Sequence, residues 1–182
     1  MIQLVIDPVV DATMRAGLAL LFVVAASHKL RDPARFRATV VAYRVLPEAL
    51  APVVATLLVL AELGVAVALA VPPARTAALA GAGGLLLVYA GALGVNVVRG
   101  RDLDCGCAGP AARQPINGWL VGRNVVLAAA ALAALVPVRP RSLVWIDVLT
   151  VIAATAALAL LHASVDRLIA QAPRLAALRS RA

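Results

Sequence analysis

Two thiols separated by a single glycine, Cys105 and Cys107, lie in the polar stretch Asp104-Cys105-Gly106-Cys107-Ala108-Gly109-Pro110, and they are the only cysteines of the chain. A disulfide across a Cys-x-Cys pair closes a very small ring, whose strain raises the reduction potential and makes the bond exchangeable. Gly106 supplies the backbone freedom such a ring needs. Arg99, Arg101 and Arg113 in the same loop favour the thiolate, while Asp102 and Asp104 oppose it. The pattern points to thiol-disulfide redox chemistry at Cys105 and Cys107. Two other readings use the same residues: structural cysteines without chemistry, and half of a shared metal site. Tetrahedral zinc takes four ligands, and this loop offers two thiols and no histidine, so no metal is expected unless a second copy or a partner completes the set.

The elements that must hold this loop are apolar. Of 182 residues, 63% are hydrophobic and only 14% charged, and the mean hydropathy of +0.96 lies outside the range of soluble domains. The fold class expected is all-α, a polytopic transmembrane helical bundle forming one membrane domain over 1–182. Judged against the roughly 20 residues needed to cross the hydrocarbon core, five spans are expected, at about 9–27, 49–71, 76–98, 119–136 and 143–162. The third carries Gly81, Gly83, Gly84, Gly91 and Gly94 and no charge, which suits close helix packing near the centre of a bundle.

Between the first two spans, Asp32 and Pro33 are placed to cap and start an interfacial helix over about 33–46. Its register puts Phe36, Val40, Tyr43 and Leu46 on one face, opposite the arginines. Residues 163–182 predict an amphipathic segment lying on the membrane and broken at Pro173.

The formal charge is +8, but the basic residues gather at the ends of apolar runs, where they meet lipid headgroups. The lipid bilayer, and no nucleic acid, is therefore the expected partner of this charge. With five spans, twelve basic residues fall at the end that carries Cys105 and Cys107, and only Arg75, Arg139 and Arg141 at the other. The positive-inside rule alone puts the dithiol in the cytoplasm.

Glu62 sits near the middle of the second span, where a carboxylate costs several kcal/mol unless it is paired or protonated. It is a candidate proton relay, or a polar contact within the bundle to Asn96, Tyr89, Asn124 or Arg123. Arg123 and Asn124, in the first turns of the fourth span, share that ambiguity. His28, at the end of the first span, is either a polar terminus or a group for ligation or proton transfer.

Together, His28-Lys29-Leu30-Arg31-Asp32-Pro33, Tyr43-Arg44-Val45-Leu46-Pro47, Glu62, Asp104-Cys105-Gly106-Cys107, Trp119 and Arg123-Asn124 resemble the MauE/DoxX group of redox-associated membrane proteins. The resemblance covers about Ala16 to Val136, and its most specific elements are the Cys-Gly-Cys loop and the Lys-x-x-Asp-Pro stretch. Ala108 stands where the family often has an aromatic residue, which leaves the subfamily open.

The resemblance implies a four-helix core like that of vitamin K epoxide reductase, here with one extra C-terminal span. It implies a multi-pass protein of the cell membrane that passes electrons through Cys105 and Cys107 to or from a thioredoxin-like or other dithiol protein. Maturation of the disulfide-rich small subunit of methylamine dehydrogenase is the setting it suggests, with a quinone as terminal acceptor. It also implies thiols outside the cytoplasm, against the charge count.

Two other classes of function stay open on the residues themselves. One is a non-catalytic membrane assembly factor for a redox enzyme, recruiting partners through its basic interfacial helix and small-residue helix faces. The other is a small transporter using Glu62 as its intramembrane charge. The sequence specifies neither the partner nor an oligomeric state.

Overall fold

Six α-helices account for most of the structure, a computed structural model that describes residues 5–101, 103 and 116–179. They are α1 (Pro8–Arg31), α2 (Pro33–Tyr43), α3 (Ala51–Ala70), α4 (Arg75–Val98), α5 (Gly118–Ala133) and α6 (Trp145–Arg179). Cys105 and Cys107 lie outside the described residues.

Local signals start and stop these helices. Asp7 caps α1 by accepting from the Val9 amide at 2.9 Å, and Pro8 opens it. Asp32 ends α1 and caps α2, accepting from the Arg35 amide at 3.0 Å with Pro33 in the first position, as expected. Asn117 caps α5 through the Leu120 amide, and Asp147 in the first turn of α6 accepts from the Val144 amide.

Two boundaries differ from expectation. The interfacial helix stops at Tyr43, because Arg44 takes a left-handed conformation (φ 46°) with its N–H on the Val41 carbonyl, so Leu46 falls beyond it. The segment after 162 is no separate surface helix: α6 runs from Trp145 through Pro173 to Arg179. A proline removes one amide from the ladder and can leave the flanking turns helical.

Four helical stretches, Pro8–Arg31, Glu48–Ala70, Pro72–Val98 and Trp145–Ile169, are long and apolar enough to cross a membrane. The fourth expected span, at about 119–136, is the shorter helix α5, 16 residues and about 24 Å long.

The order of neighbours is α6, α1, α3, α4, α5, with α2 lying across the start of α3. Buried residues form stripes at three- and four-residue spacing: Leu18, Phe22, Ala26 and Lys29 on α1, then Ala55, Val59, Glu62, Ala66 and Leu69 on α3. Leu120, Asn124, Ala128 and Ala131 do the same on α5. The α4–α5 approach is close enough that a Cβ on Gly83 would lie 2.9 Å from Cδ2 of Leu132. Lipid offers apolar side chains no gain on association, so such small-residue contacts and polar ties hold the helices together.

One such tie pins the end of the bundle at the start of α1. Asp11 is buried and pairs with Arg15 (3.0 Å) and with Arg75 of α4 (2.7 Å). The two guanidinium groups also donate to carbonyls left free at helix ends, Arg15 to Leu69 (2.8 Å) and Arg75 to Ala134 and Val136. The reach of Arg75 into the bundle was not expected from the charge count, which left it as one of three cations at this end. Around it the chain entering α1 pairs with the α5–α6 connection, Ile6 donating to the Pro137 carbonyl and Arg139 to that of Ile6. Arg141 bridges Asp7 and Asp147 alongside, and its hydrogen bond holds the Asp7 carboxyl below the usual carboxylate range.

Candidate functional site

The opposite end of the bundle carries the C-terminus of α1, the whole of α2 and the start of the α4–α5 connection. Arg99 donates to the carbonyl of Arg44 (3.3 Å), and Arg101 to those of Ala42 (3.2 Å) and Tyr43. These carbonyls belong to the last turn of α2 and the residue after it, where acceptors have no intrahelical donor. The Arg101 amide returns to the Asn96 carbonyl, and the Ile116 amide donates to the Leu103 carbonyl at 2.9 Å. The two flanks of the cysteine-bearing segment are therefore tied to each other and to α2. A groove lined by Arg35, Ala38, Thr39, Ala42 and Leu103 runs beside them.

Below this end, within the bundle, three helices bring polar groups together. Lys29 in the last turn of α1 forms an ion pair with Oε1 of Glu62 on α3. The hydroxyl of Tyr89 on α4 donates to the same oxygen at 2.8 Å and accepts from Lys29 Nζ at 3.0 Å. Lys29 is 5% exposed and Glu62 0%. Two rings flank the ammonium, with Nζ 5.0 Å from the centre of Phe36 and 4.7 Å from that of Tyr89. Oε2 of Glu62 is buried and has no hydrogen-bond partner among the described residues. Glu62 lies eleven residues into α3, roughly 16 Å along the helix from its start.

Of the expected site residues that are described, the structure brings Glu62 into this cluster and leaves His28, Arg123 and Asn124 out. Asn124 donates to the Leu120 carbonyl of its own helix (2.7 Å), and Asn96 likewise to that of Ala92 (2.9 Å). Arg123 pairs with Asp166 of α6, whose carboxylate is 3.6 Å from Nε2 of His162. His28 is half-buried, and its Nδ1 has no partner among the described residues. Among the partners expected for Glu62, only Tyr89 is found.

Lys29 is the residue that sequence reasoning missed, having been placed among the headgroup-facing cations after the first span. The signal was present in the helical register. Leu18, Phe22 and Ala26 are spaced by four, and the next position on that face is Lys29. Glu62 is therefore not the bundle's lone intramembrane charge, and its cluster makes a charge-paired, hydrogen-bonded acceptor with one oxygen unused. Among the described residues, no group of three or more histidine, cysteine or carboxylate side chains is arranged to hold a metal.

Comparison with known proteins places these features in a family. The family described as "Methylamine utilisation protein MauE" matches residues 7–137. The "Methylamine utilization protein MauE" of Paracoccus denitrificans is 47% identical over 134 residues, covering 73% of this chain and 72% of that protein. The protein of the same description from Methylorubrum extorquens is 41% identical over 140 residues, 75% of each chain. That of Methylophilus methylotrophus is 35% identical over 174 residues, 92% of this chain and 90% of the relative, and so takes in α6 as well. No solved structure matches the chain.

Proposed function

The chain belongs to the MauE family of methylamine utilisation proteins, and from that premise we propose that it is the membrane component of a thiol-disulfide redox system. In this reading Cys105 and Cys107 exchange electrons with a thioredoxin-like or other dithiol protein, in the maturation of methylamine dehydrogenase or other disulfide-containing proteins. The protein sits in the cell membrane, with α5 as a fifth, short membrane element beside the four longer ones.

The observation that supports the reading is the anchoring of the residues that flank the cysteine segment. Its flanks meet at Leu103 and Ile116, and Arg99 and Arg101 fasten the preceding residues to α2. Anchored flanks hold the two ends of that segment at one place on the bundle, where a soluble partner can meet it. The exchange itself is balanced between the two proteins. A Cys105 or Cys107 thiolate attacks one sulfur of the partner disulfide, and the partner's other sulfur leaves as a thiolate. The second cysteine then attacks the mixed disulfide, so the partner is reduced by two electrons and the Cys105–Cys107 disulfide forms. The reverse sequence oxidises the partner. Turnover in that direction needs a two-electron acceptor, for which a membrane quinone is the suitable chemical class.

The test is mixed-disulfide trapping in cells, using a thioredoxin-like partner that lacks its second cysteine. The wild-type chain is expected to yield a covalent complex that reductant dissolves, and Cys105→Ser/Cys107→Ser none. Full growth on methylamine by the double-serine strain, with no complex trapped from the wild type, overturns the reading.

A further inference from the structure

Helix α2 has no buried residue, yet its last turn receives the arginines that fasten one flank of the cysteine segment. A short helix without a buried side chain has little packing of its own to fix it, so its position depends on a few contacts. Two of them come from aromatic residues on one face, Phe36 and Tyr43. Tyr43 packs against Leu93 and Leu120, where Ile116 packs as well. Phe36 lies over the ammonium of Lys29, with Nζ 5.0 Å from the ring centre.

The Phe36 contact needs a charged ammonium in a place closed to water. Lys29 is buried, and its ion pair with Glu62 offsets the desolvation that would otherwise favour the neutral amine. A cation held this way is drawn to a ring face more strongly than one in water. Glu62, whose hydrogen bonds go to Lys29 of α1 and Tyr89 of α4, thus acts on α2 through Lys29. At the far end of α2, Arg99 and Arg101 donate to the carbonyls of Arg44, Ala42 and Tyr43. The other flank joins the same face: the Ile116 amide donates to the Leu103 carbonyl, and the Ile116 side chain shares the apolar contact of Tyr43.

We propose that Phe36 is a positioning residue for the cysteine segment: the buried Lys29–Glu62 pair fixes α2 through the Phe36 ring, and α2 fixes the flanks at Arg99, Arg101 and Ile116. Its consequence for thiol exchange rests on the dithiol reading; the hold on α2 and the flanks does not. An ordinary apolar contact and a contact between charge and ring differ in one respect. Fluorine on the ring drains its negative face while leaving its size nearly unchanged, which weakens only the second kind.

The test places phenylalanines of increasing fluorination at position 36 of the full chain in lipid nanodiscs and follows amide hydrogen exchange. Exchange in α2 and at the Arg101 and Ile116 amides is expected to quicken with each added fluorine, to quicken most in Phe36→Leu, and to stay near wild type in Phe36→Tyr. In Lys29→Met/Glu62→Leu the dependence on fluorine should disappear, because the ring no longer faces a charge. Mixed-disulfide formation with a thioredoxin-like partner is expected to slow about tenfold in Phe36→Leu. Reduction of the Cys105–Cys107 disulfide by dithiothreitol, which needs no docking, should keep its rate. Hydrogen exchange indifferent to fluorine, or equally sensitive to it without Lys29 and Glu62, overturns the proposal, as does an unchanged partner rate in Phe36→Leu. A wild-type chain that traps no partner counts against the dithiol reading instead, and the hydrogen-exchange series then decides the proposal by itself.

Discussion

Nζ of Lys29 lies 3.0 Å from the hydroxyl of Tyr89, a residue 60 positions further along the chain, while both touch the same oxygen of Glu62. The triangle joins α1, α3 and α4, with Lys29 and Glu62 buried and Tyr89 half-buried. Its members therefore depend on one another, and removing one leaves a deficit on the others.

Lys29→Met strands the Glu62 carboxylate and is expected to destabilise the bundle by about 3–5 kcal/mol. Lys29→Met/Glu62→Leu removes both charges and should recover most of that loss. Unfolding of the single and double variants in detergent micelles measures the difference, and equal destabilisation in both would show that the pair is not interacting.

Gly83 is predicted to be intolerant of bulk. Gly83→Leu drives a side chain into Leu132 and should cost about 1–3 kcal/mol. The close neighbour is the far end of a flexible side chain, so Gly83→Ala is expected to be mild and to become neutral beside Leu132→Ala. A double-mutant cycle on thermal unfolding checks this compensation.

At the other end of the bundle, the Arg141 guanidinium lowers the Asp7 carboxyl from its ordinary value of 3.8. The sign follows from linkage: the contact contributes fully above 3.8 and is lost as pH falls through the lower folded-state value. Carbon NMR of the Asp7 carboxyl should give a midpoint below 3.8 that returns towards it in Arg141→Gln. An unchanged midpoint in that variant would remove Arg141 as the cause.

Asp166 ties α6 to α5 through Arg123. Asp166→Asn is expected to loosen this contact, and the effect should shrink in an Arg123→Gln background by a coupling of about 0.5–3 kcal/mol. Protease accessibility of α6 in nanodiscs reports the loosening, with strictly additive effects counting against the bridge.

Much of this architecture was legible in the residues because helix boundaries are written locally. Asp32-Pro33 reads directly as a cap and start, and the Pro72-Pro73 pair as a break between apolar runs. The polar ties were harder, because they depend on which helices become neighbours. Arg75 looks like a loop cation until α4 lies against α1 and Asp11 comes within reach. Lys29 looks like a headgroup anchor for the same reason, although the spacing of Phe22 and Ala26 already pointed it inward. Pro173 misled in the opposite direction, since a proline forbids one amide bond and not the helix. Arg123 could be seen as an intramembrane charge, but Asp166 lies 43 residues away on a helix whose docking no local pattern foretells.

Two helices joined by one ion pair also differ in their fit to a lipid bilayer. The apolar stretch Trp145–Ile169 of α6, 25 residues, measures about 37 Å, while the 16 residues of α5 measure about 24 Å, against a hydrocarbon thickness near 30 Å. One is matched by tilting, the other by thinning of the surrounding lipid. With α5 in the membrane as proposed, the hydrocarbon around the protein is expected to be shallowest beside it, next to the connection that carries the two thiols.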